Sequence, residues 1–196
     1  YDKNKYTVKW GGAFENQKRA YTRLSVIIPL TLVGMFILLY ATFGKFRQAG
    51  LVLSIVPLAL FGGMLALNVR GMTLNVSSAV GFIAMFGLSI QNGIIMVSQI
   101  NGLRIKGMEL RKSVIEGALQ RFRPILMTSV TTILGLFPAS LATGIGSDVQ
   151  RPLATVIVYG LMFSTLVSMF LLPAFYYLVE NNVLNKKKND EKEYTL

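Results

Sequence analysis

The sequence has no cysteine and no histidine. That excludes disulfides, thiolate and imidazole metal ligands, cysteine nucleophiles and imidazole acid–base catalysis together. Charge is also scarce: 15% of the 196 residues are Asp, Glu, Lys or Arg, against about 25% in an average protein. Acidic residues are scarcer still, nine in all, and each lies outside the long apolar runs or at their edges. No carboxylate pair, no Ser/His/Asp set and no phosphate-binding glycine loop can be found. The chain is therefore expected not to be an enzyme, with no catalytic residues, no metal ligands and no cofactor.

What the chain has is apolar length. Hydrophobic residues make up 53%, and mean hydropathy is +0.52. Too little polar surface remains to cover a soluble domain. The net charge of +11 does not point to nucleic acid, because the charges sit in short clusters between long uncharged runs. Those runs cover 24–44, 48–69, 71–103, 124–147 and 152–179. Each reaches the roughly 20 residues that cross about 30 Å of hydrocarbon as a helix. Five transmembrane helices are expected, over about 24–43, 49–69, 76–101, 124–142 and 152–178. Core helices of a large soluble protein are much the weaker reading.

Lys and Arg mark the cytoplasmic side of short loops. One alternating set of connections holds Lys45, Arg47, Arg104, Lys106, Arg111, Lys112, Arg121, Arg123, Lys186, Lys187, Lys188 and Lys192. The opposite loops hold only Arg70 and Arg151. The first set is read as cytoplasmic, with the N-terminal segment outside and the tail inside. Six basic residues within 1–23 oppose this orientation. They weigh less if that stretch ends a large folded outer domain, since long domains cross regardless of charge. Tyr6–Trp10 fits a strand ending at Gly11-Gly12, and a lone strand needs a partner upstream. Residues 14–23 fit a helix leading into the first span. The chain is thus expected to be part of a longer protein.

Pro29 and Pro57 lie inside spans, where proline kinks a helix and is tolerated. Gly62-Gly63 allows close helix packing. In the third span Ser77, Gly81, Ala84, Leu88, Gln91, Ile95 and Ser98 share one helical face of mainly small or polar residues. Gln91 and Asn92 lie deep in the hydrocarbon, so both amides are expected to point into the bundle. Two roles stay open: an interhelical bond worth ~1 kcal/mol, or a part in transport. Residues 106–122 form a basic amphipathic pattern, with Met108, Ile115, Ala118, Leu119 and Phe122 on one face. This cytoplasmic helix is expected to lie on membrane lipid. Pro124 is expected to open the fourth span, where Thr128, Thr132 and Gly135 share a face. The nine methionines are scattered and read as packing. Residues 181–196 are read as a cytoplasmic tail, whose mixed-charge part, Lys186–Leu196, is expected to be disordered.

Several motifs carry a family resemblance. Val80-Gly-Phe-Ile-Ala-Met-Phe-Gly-Leu-Ser-Ile-Gln-Asn-Gly93 resembles the tenth span of resistance-nodulation-division (RND) transporters. Arg121-Phe-Arg-Pro-Ile-Leu-Met-Thr-Ser129 resembles the start of their eleventh. Leu141-Ala-Thr-Gly-Ile-Gly-Ser-Asp-Val-Gln-Arg-Pro-Leu-Ala-Thr155 is similar to the heavy-metal efflux branch, the Czc/Cus type. Gly11-Gly-Ala-Phe-Glu-Asn-Gln-Lys-Arg-Ala20 matches that branch's approach to its eighth span.

The resemblance implies an all-α membrane protein holding spans eight to twelve of a twelve-span bundle, with a periplasmic remnant at 1–23 and the membrane domain at 24–180. It implies a homotrimeric, multi-pass permease in the inner membrane of a Gram-negative bacterium, its N-terminus periplasmic and its C-terminus cytoplasmic. Its partners would be the upstream half of its own chain, a periplasmic adaptor and an outer-membrane channel; nucleic acid is not among them. The implied activity is proton-driven antiport that exports heavy-metal cations. RND export of organic substrates, or a non-transporting accessory role, are the alternatives. Multidrug members carry a Lys matching Gln91. Silver and copper exporters carry a Glu there and a Lys matching Ile125. Lacking these charges, the sequence looks closer to divalent-cation exporters. By the resemblance Thr128 matches a threonine near the proton relay. Gln91, Asn92 and Thr128 are the proton-pathway candidates, and the main proton-carrying carboxylates would lie elsewhere.

Overall fold

A computed structural model describes residues 13–193. Its elements are α1 (Ala13–Phe43), α2 (Phe46–Leu53), α3 (Ile55–Val69), α4 (Val76–Ile105), α5 (Leu110–Ser140) and α6 (Ser147–Glu193). Among the described residues there is no strand; the strand expected at Tyr6–Trp10 lies outside them. Five segments are long and apolar enough to cross a membrane, α2 and α3 together making one. The all-α architecture of five spans is as expected.

The breaks follow from local chemistry. Pro57 has no N–H, so the carbonyl of Leu53 loses the donor four residues on. The helix is interrupted at Ser54, whose hydroxyl donates to the Leu51 carbonyl at 2.7 Å. Gly44 takes φ +64°, which lets α1 turn tightly into α2. The α3–α4 turn ends at Asn75, which caps α4: its side chain accepts from Ser78 N–H at 2.8 Å, and Ser78 Oγ accepts from Asn75 N–H at 2.8 Å. Polar residues 14–23 and the first span form one helix, α1, as the sequence suggests.

Two expectations need correction. The amphipathic segment 106–122 and the span 124–142 are not separate helices. Residues 106–109 form a turn, and α5 then runs unbroken through Pro124. Val114 and Gly117 before the proline, and Ile125 and Ser129 after it, are all buried on one side. Packing on both halves keeps the helix in one line despite one missing backbone bond. The apolar stripe of Ile115, Leu119 and Phe122 stays exposed. The second correction concerns α6, which starts at Ser147, before Pro152, and continues as helix to Glu193, through most of the tail expected to be disordered. The last span simply propagates, since residues 179–193 contain no proline or glycine to stop it.

α6 is the hub: it packs on α2, α3, α4 and α5, whereas among the described residues α1 touches only α2 and α4. Gly62 lies against Phe163 and Gly63 against Phe82 and Val156, the close packing expected of that pair. Met85, Met96 and Met169 fill the core.

Candidate functional site

The polar centre of the bundle is built by α4, α5 and α6. Asn92 on α4 is buried and aims its Nδ2 at Ser129 Oγ of α5, at 3.5 Å. Thr165 of α6 donates its hydroxyl to the same Ser129 Oγ at 2.9 Å. All three side chains are more than nine-tenths buried. Away from water each needs a partner, and the three-way contact supplies it.

Gln91 does not join this contact. It is exposed, and among the described residues no hydrogen bond to it is found. Adjacent helical residues are about 100° apart, so the two amides leave α4 in different directions. Within these five helices only the Asn92 amide points inward. The bulky residues Phe82, Met85, Phe86 and Met96 occupy the side of α4 that meets the core. The small and polar face turns outward instead: Ala84, Gln91 and Ser98 are exposed, and only Gly81 of that face is buried. Thr128 is also exposed, and its hydroxyl donates to the carbonyls of Pro124 and Ile125 in its own helix at 3.1 and 3.0 Å.

The three candidates nevertheless meet. Together with Leu88, Ser129, Thr132 and Leu161 they line one small open pocket of about 230 Å³. Sequence reasoning missed Ser129 and Thr165. A signal for the second existed in the hydroxyl run Ser164, Thr165 and Ser168, all buried against neighbouring helices. None of the seven lining residues titrates near neutral pH. The pocket can therefore offer donors and acceptors to a charged group brought to it, but cannot store a proton itself. Among the described residues no group of three or more acidic, histidine or cysteine side chains could hold a metal ion.

A second polar cluster clamps the other end of α4. Gln48 and Asn101 exchange amide bonds at 3.0 and 2.8 Å, and Tyr176 OH donates to Asn101 Oδ1 at 2.6 Å. One turn further, Arg104 pairs with Glu180. Nearby, Arg121 Nε and Nη2 both donate to Gln99 Oε1, at 3.1 and 2.7 Å. These bonds tie α2, α4, α5 and α6 at the end read as cytoplasmic, below the open pocket.

The model of the AcrB/AcrD/AcrF family matches residues 3–180. The chain belongs to that family, the RND transporters. It is 46% identical over 188 residues to "Protein HelA" of Legionella pneumophila, covering 95% of this chain and 18% of the relative. It is 45% identical over 173 residues to "Cobalt-zinc-cadmium resistance protein CzcA" of Cupriavidus metallidurans, covering 88% of this chain and 16% of that one. "Cation efflux system protein CusA" of Escherichia coli K12 is 34% identical over 184 residues, covering 88% of this chain and 18% of CusA. A solved structure described as a heavy metal efflux pump superposes with a TM-score of 0.78 at 54% identity, covering 92% of this chain and 18% of the pump. The chain thus spans less than a fifth of these relatives' length. The resemblance to the heavy-metal branch of the RND transporters holds.

Proposed function

We propose that this chain is the C-terminal membrane half of a proton-driven exporter of divalent heavy-metal cations. The observation that carries this reading is the 54% identity, over 92% of the chain, to the heavy metal efflux pump. Higher identity to the cobalt-zinc-cadmium relative than to CusA, 45% against 34%, favours divalent cations as substrate. In this reading the protein is an inner-membrane homotrimer working with a periplasmic adaptor and an outer-membrane channel, its N-terminus periplasmic and its C-terminus cytoplasmic.

The mechanism rests on the outward face of α4. Gln91, with Asn92 and Thr128 around the same pocket, presents neutral donors to whatever packs there. A carboxylate on the upstream half of the protein would be oriented by the Gln91 amide without being strongly driven to its ionised form, whereas a Lys would favour ionisation. Its protonation would shift the two halves against each other, and that shift would drive the periplasmic domains.

The test uses the full-length protein in everted inner-membrane vesicles. A proton gradient should drive accumulation of Zn²⁺, Co²⁺ or Cd²⁺, and a protonophore should abolish it. Proton-dependent accumulation of organic dyes with no cation movement would transfer the assignment to organic export. Orientation is checked separately. Ile145→Cys, in the fully exposed α5–α6 loop, should react with an impermeant thiol reagent added outside the inner membrane; Lys112→Cys should react only after permeabilisation.

A further inference from the structure

Where α3 meets α6, near the α3–α4 turn, the surface opens into a groove of about 750 Å³. Gly62, Leu65 and Val69 line it from α3, and Met162, Phe163 and Leu166 from α6. Leu65, Val69, Met162 and Leu166 are all exposed. From Gly62 to Val69 the groove follows α3 for about 12 Å, at ~1.5 Å per residue.

Arg70 stands at the mouth. One of its N–H groups goes to Thr155 Oγ1 at 3.1 Å, and its guanidinium lies 5.9 Å from the centroid of the Tyr159 ring. These two contacts hold the head in place and leave other donors of the five-donor fork free. Among the described residues no carboxylate pairs with it. Arg70 is thus a positioned, uncompensated cation at the water-facing end of an apolar groove.

The depth of the groove identifies its occupant. Half of a ~30 Å hydrocarbon core is about 15 Å, so the groove stays within one leaflet. A partner helix would need a seam running the full crossing, and on α3 the lining of this groove covers less than half of that. An acyl chain under an anionic headgroup matches both the length and the charge.

We propose that the groove is a phospholipid site, with one acyl chain between α3 and α6 and the phosphodiester on Arg70. The site depends on the membrane crossing and not on the transport assignment. The lipid completes the contact between α3 and the hub helix at a point where no side chain fills the gap.

The test uses the full-length protein in vesicles of phosphatidylethanolamine and phosphatidylglycerol, doped with a phosphatidylglycerol carrying a diazirine in mid-chain. After irradiation, crosslinked positions are mapped and scaled to labelling summed over the rest of the protein. Crosslinks should concentrate on Leu65, Met162 and Leu166. Arg70→Gln should lower that labelling roughly fivefold, the worth of one basic residue at an anionic surface. Leu65→Trp should lower it as well, by filling the groove from an exposed position with Arg70 intact. Groove labelling no higher than elsewhere, or indifferent to both substitutions, overturns the proposal. So does an absence of groove labelling, which would mean that polypeptide covers it.

Discussion

α1 and α6 are comparably apolar, yet their fates differ. Within the chain 6% of the most apolar stretch of α1 is buried, against 67% of that of α6. In water such helices would compete equally for the core. Between lipid and protein there is no hydrophobic gain to compete for, so packing and polar contacts decide. The buried side of α6 carries Ala154, Thr155, Gly160, Ser164, Thr165 and Ser168, which let neighbouring backbones approach and supply hydroxyl bonds. The exposed side of α1 carries Val26, Ile27, Leu30, Val33, Ile37 and Leu38, which lipid or another helix satisfies equally well.

A pair of glycines should break this comparison most sharply. A Cβ at Gly81 on α4 would lie 2.9 Å from the carbonyl oxygen of Leu153 on α6, and backbone cannot move aside cheaply. A Cβ at Gly34 on α1 meets nothing within 4 Å. Gly81→Val should cost about 1–3 kcal/mol or more through overpacking, whereas Gly34→Val should be near neutral. Thermal unfolding of the full-length protein, followed by size-exclusion chromatography, reads the difference. Equal losses would show that α1 is as tightly packed as the hub.

Polar contacts to the hub should matter next. Tyr176→Phe removes the hydroxyl that reaches Asn101, and Asn92→Leu removes the amide at Ser129. Each is expected to cost about 0.6 kcal/mol and no more than about 1.7, the measured mean and maximum for interhelical bonds in a membrane protein. The same unfolding assay should place both between the two glycine variants.

The smallest effect on stability is expected at Gln91. With no partner among these helices, Gln91→Leu should leave the unfolding temperature of the full-length protein within the scatter of exposed substitutions. Cation export in everted vesicles should nevertheless fall. Gln91→Lys should reduce export too, by favouring the ionised carboxylate. Wild-type export by the Leu variant would leave Gln91 without a functional role, and the comparison of faces would then concern packing alone.

Much of this was readable along the chain. Charge-free runs counted the spans, because a bilayer sets a minimum apolar length that composition alone reveals. Gln91 and Asn92 stood out because polar side chains are conspicuous in hydrocarbon, whereas Thr128 was reached through the family resemblance alone. What the sequence by itself could not settle was direction and continuity. Asn92 rather than Gln91 turned inward because Phe82, Met85 and Phe86 set which side of α4 meets α6. Pro124 stayed inside α5 because Val114, Gly117, Ile125 and Ser129 are buried along one side of it. Ser129 and Thr165 became partners across 36 residues of sequence. Each of these outcomes depends on contacts between segments far apart in the chain, and in a membrane those contacts, rather than apolarity, choose which helix lies at the centre.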